Sequence, residues 1–240
     1  MSTRFTDRAA AGRALGQQLR TLHLRPPLVV LALPRGGVPV GAAVAQALQA
    51  PLDLLLVRKI GAPWQRELAL AAVVEGDPPD IVIDEDVRGN VCTDTDYIEA
   101  QAQVQLREIA RQRQVYLSGR PAAPVEGSTV VVVDDGIATG TTMRAALKAL
   151  RRRRPAALVL AVPVAPGDTL EQLRGEVDQL VCLDTPFPFH AVGEHYVRFD
   201  QVEDDEVIEA LAAADRARLD RHPTCARPAM TPFTHQETRK

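Results

Sequence analysis

Few cysteines stand in this chain of 240 residues: Cys92, Cys182 and Cys225. Their number is odd and no C-x-x-C spacing occurs, which excludes a disulfide framework and a structural zinc site built on paired cysteines. Reduced thiols in a cytoplasmic protein are the expectation. Long apolar runs are also missing, since nothing approaches the ~20 consecutive apolar residues that span a bilayer. At the start, Arg4, Arg8 and Arg13 interrupt what a secretory leader would keep apolar. Charge of one sign does not dominate: 28 basic residues face 31 acidic ones, for a net −3. That balance argues against a general affinity for nucleic acid or an anionic membrane, so any anion site must be local. No internal repeat is visible, and neither the G-x-x-x-x-G-K-[ST] of a nucleotide-binding P-loop nor a G-x-G-x-x-G fingerprint occurs.

What is present is an alternation of short apolar runs and helical periodicities. Apolar residues at Ala10, Ala14, Leu15, Leu19 and Leu22 have helical spacing behind Thr6 and Asp7, which predicts a capped amphipathic helix over Thr6 to Leu24. Leu28 to Leu33 is a continuous apolar run of the kind buried on both faces in a parallel sheet. It stops at Pro34-Arg35-Gly36-Gly37, after which Val38 to Leu48 reads as a helix and Leu52 to Val57 as a second strand ending at Arg58-Lys59. Strand, glycine turn, helix and strand make a βαβ unit with right-handed crossover. Leu68 to Val74 and Asp80 to Ile83 flank Gly76-Asp77-Pro78-Pro79, which predicts an antiparallel excursion.

Thr95 to Val115 carries one apolar face through Ile98, Ala102, Leu106 and Ile109, and Ser118 to Ser128 is a loop. Beyond it come a strand at Thr129 to Val133, a helix at Thr141 to Arg153, a strand at Ala157 to Val164, a helix at Asp168 to Glu176 and a strand at Val177 to Leu183. Thr185 to Tyr196 is a loop of prolines, aromatics and histidines, and Glu203 to Leu219 a helix. The expected fold is α/β, an open, mostly parallel twisted sheet flanked by helices, with a small antiparallel excursion and a C-terminal hood-like loop. One domain over residues 1–220 and a disordered, proline-broken tail over 221–240 complete the reading.

Open parallel sheets bind ligands at the carboxyl ends of their strands. Three sequences stand at such ends: Pro34 to Gly37, Arg58-Lys59, and Asp134 to Thr142. In the last, a buried strand stops at two carboxylates, and Gly136-Ile137-Ala138-Thr139-Gly140-Thr141-Thr142 leads into a helix. Small residues there let backbone N–H groups converge on a phosphate at the helix N-terminus. The plainer reading, that Thr141 and Thr142 cap the helix and the aspartates end the strand, leaves the adjacent carboxylates without a purpose.

VVVVDDGIATGTT, from Val130 to Thr142, resembles the thirteen-residue signature of the type I phosphoribosyltransferases. The resemblance extends from the first helix to Val207 and includes Arg58 to Pro63, Glu67, Pro186 to Tyr196 and Gln201 to Val207, where it is to an uncharacterised branch of the family. It implies the phosphoribosyltransferase fold and a magnesium-dependent transfer of ribose 5-phosphate from phosphoribosyl pyrophosphate to a nitrogenous base. On that resemblance Asp134 and Asp135 meet the ribose hydroxyls, and Ala138, Thr139, Gly140, Thr141 and Thr142 hold the 5-phosphate. Arg35, Gly36 and Gly37 stand in the diphosphate loop, which in the family often contains a non-proline cis peptide, and Arg58 and Lys59 reach the same diphosphate. Asp134, Asp135, Arg58, Lys59 and Glu67 form the implied catalytic set.

Mg2+ is expected to arrive with the diphosphate, touched by Asp134 and Asp135 through water, with no direct protein ligand assigned. Phe187, Phe189, His190 and Tyr196 are candidates for the acceptor side, joined by Glu67, Glu194 and His195. Purine enzymes of the family often place an acid where this chain has Ala138, so the acceptor stays open. The alternative is a protein that senses phosphoribosyl pyrophosphate or a nucleotide without catalysis; a salvage or modification enzyme acting on a larger substrate, with Pro186 to Tyr196 as its acceptor wall, is a third reading. A homodimer is implied, a membrane association is not, and Arg151 to Arg154 read as a solvated helix end that the dipole favours over a nucleic-acid contact.

Overall fold

A computed structural model describes residues 4–76, 78–84, 87–89 and 95–221. Its elements, in chain order, are α1 (Arg8–Arg20), β1 (Leu28–Ala32), α2 (Gly37–Leu48), β2 (Leu52–Leu54), β3 (Val57–Ala62), β4 (Gln65–Val74), β5 (Asp80–Ile83), α3 (Thr95–Leu117), β6 (Thr129–Val133), α4 (Thr141–Arg152), β7 (Ala157–Val164), α5 (Gly167–Leu173), β8 (Gln179–Asp184) and α6 (Asp204–Arg221). The start of α1 is set by Asp7, whose carboxylate accepts the amide of Ala10 at 2.8 Å and so occupies one of the donors a helix start leaves open. Helix α6 runs through Arg221, one residue into the expected tail; the rest of that tail lies outside the described residues.

Five parallel strands form the main sheet in the order β2-β1-β6-β7-β8. The continuous apolar runs are explained by burial on both faces, and alternate residues divide between two cores. Val30, Ala32, Val131 and Val133 face Leu15 and Leu19 of α1 and Val40 and Val44 of α2. Val29, Leu31, Val130 and Val132 face Leu147 and Leu150 of α4 and Leu170 and Leu173 of α5. Each fully buried Leu or Val of this kind contributes roughly 1.5–3 kcal/mol of transfer free energy.

The expected strand from Leu52 to Val57 is instead two. β2 ends at Leu54, Leu55 and Leu56 pass through the core at 2% and 1% exposure, and the chain re-emerges as β3 in a separate antiparallel sheet of order β3-β4-β5. The apolar run continues across the break because the linking leucines are buried between the two sheets. Arg58 and Lys59 therefore lie inside β3 and not at the carboxyl end of a parallel strand. The antiparallel pairing of β4 with β5 agrees with the turn chemistry of residues 76–79. The small sheet sits between two helices: Ala71 and Val73 join the core shared with Ile98 and Ile109 of α3, while Ala72 and Val74 join the core shared with α4.

The segment before α1 meets the segment before α6. Phe5 bridges Tyr196, its amide donating to the His195 carbonyl at 2.9 Å and its carbonyl accepting from Val197 at 2.8 Å. The segment before α6 is thereby fixed against the segment before α1.

Candidate functional site

Strand β6 delivers Asp134 and Asp135 to the carboxyl edge of the main sheet, beside the end of β1. The Asp135 amide donates to Oδ1 of Asp134 at 2.8 Å. Burial, and then the neighbouring Asp135 charge, hold the Asp134 carboxyl well above the ordinary carboxylate range. Burial also raises Asp135, opposed by a hydrogen bond and the charge of Arg8.

Arg8 stands in the first turn of α1 and reaches across the sheet edge. Its Nε donates to Oδ2 of Asp135 at 2.7 Å, its Nη1 donates to the Asp200 carbonyl at 2.7 Å, and its guanidinium lies 3.8 Å from the centre of the Phe199 ring. A cation at a helix N-terminus opposes the macrodipole, and the Asp135 carboxylate and Phe199 face compensate it here. Beneath the pair, the buried Tyr196 donates its hydroxyl to the Asp135 carbonyl at 2.5 Å, and burial pushes its phenol upward.

The glycine loop closes over the same carboxylates. Pro34–Arg35 is a cis peptide bond, the feature the resemblance attaches to this loop. A Cβ at Gly36 would collide with the Asp135 carboxylate, and one at Gly37 would come within 3.0 Å of the Asp134 Cα. Glycine is what allows this approach. The Arg35 guanidinium is turned away toward the start of α6, 3.5 Å from Oδ1 of Asp204 and 3.6 Å from Oε2 of Glu203. Tyr116 of α3 donates to the same Asp204 oxygen at 2.7 Å, and burial together with that carboxylate raises its phenol to about 12.

After the acids, the loop is anchored from below. Ile137 donates to the Val164 carbonyl at 3.0 Å, and the Thr169 hydroxyl donates to the Ala138 carbonyl at 2.8 Å. Gly140 takes a φ of 72° with the Thr169 methyl against it. Ala138 and Thr139 are exposed, and α4 begins at Thr141 with Gly140 as its cap residue and no side-chain cap bond. Thr141 and Thr142 thus lie inside the first turn, where amides lack intrahelical acceptors, and do not serve as its N-cap. The result is a positive helix end with hydroxyls around it, suited to a phosphate.

The remaining candidates are dispersed. In the antiparallel register Arg58 pairs with Val73 and Lys59 with Ala72, so their side chains leave opposite faces of the sheet. Arg58 is 3.7 Å from Glu108 of α3. Lys59 lines a cleft with Thr141 and Thr142. Glu67 belongs to β4, its side chain lying outside the described residues.

In the hood-like loop Phe187 is 99% exposed and His190 exposed, while Phe189 stacks on the buried His195 with ring centres 5.3 Å apart. Glu194 is exposed and accepts a hydrogen bond from Arg4 through its carbonyl. Tyr196 is buried under Asp135, with its hydroxyl donated to the Asp135 carbonyl. Among the described residues no group of three or more His, Cys, Asp or Glu is arranged to hold a metal; Asp134 and Asp135 are the carboxylates at the site.

Reasoning from sequence alone missed Arg8, Phe199 and the structural role of Tyr196. The one local signal is Arg8 itself, a cation where the helix dipole disfavours one.

The phosphoribosyl transferase domain model matches residues 5–197. Two proteins of Mycobacterium tuberculosis, from strains CDC 1551 and H37Rv and named provisionally as phosphoribosyl transferases, are each 45% identical over 212 residues, 88% of this chain and 47% of theirs. The chain spans about half the length of these curated relatives. The crystal structure of TT1426 from Thermus thermophilus superposes with a TM-score of 0.78 at 41% identity, covering 88% of this chain and 99% of that one.

Proposed function

Since the chain belongs to the phosphoribosyl transferase family, we propose that it binds phosphoribosyl pyrophosphate at the β1, β6 and α4 edge and transfers ribose 5-phosphate to a nitrogenous acceptor, releasing diphosphate. The observation that carries this reading is the packing of the Pro34 to Gly37 loop onto Asp134 and Asp135, close to a helix N-terminus that no side chain caps. Three parts of one ligand, diphosphate, ribose and 5-phosphate, have matching chemistry in that order.

In this reading Asp134 accepts from a ribose hydroxyl and Asp135, steadied by Arg8 and Tyr196, from its neighbour. The amides of Ala138 to Thr142 and the threonine hydroxyls take the 5-phosphate. Arg35 exchanges Glu203 and Asp204 for the leaving diphosphate, adding positive charge where negative charge develops. Holding the ribose and both phosphates in line is the main contribution the chain makes to rate. Asp134 and Asp135 are the residues that would hold, through water, magnesium arriving with the diphosphate, and the ion would add to neutralisation of the leaving group. A cytoplasmic homodimer is part of the same proposal, with sedimentation as its check.

Ala138 offers no proton to the acceptor, so a base that needs none is favoured. Incubation with phosphoribosyl pyrophosphate, magnesium and a panel of bases is expected to release diphosphate with at least one of them; silence across a broad panel overturns transfer. A sensing role is favoured by a single feature, the diversion of Arg35 onto two carboxylates. Tight calorimetric binding of phosphoribosyl pyrophosphate without turnover would establish that second reading.

A further inference from the structure

A cleft of about 190 Å³ opens directly beside the proposed 5-phosphate loop, between α4 and the face of the small sheet. Thr141 and Thr142 line it, so the loop and the cleft share a wall. Ala72 and Val82 form its apolar floor, and its charged lining is Lys59, Arg144, Lys148 and Asp84. Three cations therefore face one acid, in a chain whose net charge is negative. The acid is engaged: Oδ1 of Asp84 accepts the Val87 amide at 3.1 Å.

The cations come from two elements that the fold brings together. Arg144 and Lys148 are four residues apart on α4 and share a helix face, and Lys59 comes from β3. Arg144 holds Gln172 through Nη2 at 2.6 Å, yet its Nε is buried with no hydrogen-bond partner among the described residues. Arg144 lines the cleft with the rest of its side chain and keeps positive charge on that wall whatever its Nε does. Lys148 lies 3.8 Å from Glu176, a loose pairing that leaves its ammonium able to turn.

We infer that this cleft is a subsite for a second phosphate attached to the 5-phosphate, and that nucleoside 5-diphosphates and 5-triphosphates occupy the donor site by extending into it. The inference rests on the 5-phosphate reading proposed above and adds a ligand class to it. Phosphoribosyl pyrophosphate carries only a monoester at its 5-oxygen, so the donor leaves the Lys148 end of the cleft unused. A nucleotide with a β-phosphate fills both. Such nucleotides then exclude the donor competitively, which makes the site responsive to the phosphorylation state of the nucleotide pool.

Isothermal calorimetry on the full chain, in EDTA so that no metal bridges the phosphates, tests this with the pairs AMP and ADP, GMP and GDP, and UMP and UDP. The base divides out within each pair. The diphosphate is expected to bind about tenfold tighter than its monophosphate in every pair that binds, the scale of one good charge-assisted contact. Lys148→Glu is expected to abolish that ratio while leaving monophosphate and phosphoribosyl pyrophosphate affinity within about twofold, and Lys148→Arg to restore it. Lys148→Ala, with about half the loss of ratio, guards against misfolding of the reversed charge.

If monophosphates bind and diphosphates bind no better, the subsite is overturned and the 5-phosphate reading stands. If diphosphates bind better but Lys148→Glu keeps the ratio, the β-phosphate lies elsewhere and the subsite is again overturned. Failure of phosphoribosyl pyrophosphate and of every monophosphate to bind overturns both.

Discussion

The crevice at the end of β1 and β6 and the small sheet of β3, β4 and β5 place their polar groups by opposite means. In the crevice, loops are pressed together until a single Cβ has no room: Gly36 lies against the Asp135 carboxylate and Gly136 against the Val192 side chain. In the small sheet, strand alternation alone sends Arg58 to one side and Lys59 to the other. The first device is unforgiving because every neighbour fixes its neighbour. The second is tolerant, because each side chain acts for itself.

The largest effect should come from breaking the close packing. Gly36→Ala is expected to lower kcat/KM, or donor affinity if no turnover is found, by about 100-fold or more, since a methyl there displaces Asp135 or the loop. Retention of donor binding within a few-fold would show that the loop is looser than its packing implies.

Second in size is the acidic pair. Burial raises both carboxyls, so between an ordinary carboxylate pKa near ~4 and the raised folded value the native protein holds more protons than the unfolded chain. Stability accordingly falls as pH rises through that window. Asp134→Asn should flatten the dependence in urea titrations and stabilise the neutral protein by about 1–2 kcal/mol, while donor binding falls about tenfold or more. An unchanged pH slope in the variant would place the titration on other groups.

The sheet should respond unevenly. Lys59→Ala is expected to weaken donor binding about tenfold and Arg58→Ala no more than about twofold, because only Lys59 shares a wall with Thr141 and Thr142. Equal losses would mean that the register does not govern access to the ligand. Smallest of all, Glu203→Gln combined with Asp204→Asn frees Arg35 and should tighten donor binding about threefold in calorimetry, the scale of a partly exposed ion pair; weaker binding would assign the two acids a different role.

How much was legible follows from the same contrast. β1, β6 and β7 could be read from composition because burial on both faces leaves no polar position to obscure the run. The turn from Asp134 to Thr142 was legible as the break between a strand and a helix because two acids and then glycine and threonine end the valine run. Leu52 to Val57 misled because hydrophobicity reports burial and not direction: Leu55 and Leu56 are core residues that belong to neither sheet. β3 went unread because Arg58, Lys59 and Gly61 have no apolar alternation to display. Arg8 could not be matched to Asp135 across 127 positions, a pairing that only the closed fold creates.

The Arg8 contacts bear on when the protein becomes competent during its own synthesis. Asp135 is steadied by residue 8 through a side chain and by residue 196 through a hydroxyl, while Arg8 is itself held by the carbonyl of residue 200. A nascent chain that has emerged only to α5 already contains the glycine loop, both acids and the phosphate loop, yet Arg8 lacks the Phe199 and Asp200 partners that set its direction. On the proposed reading, donor capture waits until the segment before α6 has docked on the segment before α1, and ligand binding would report that docking.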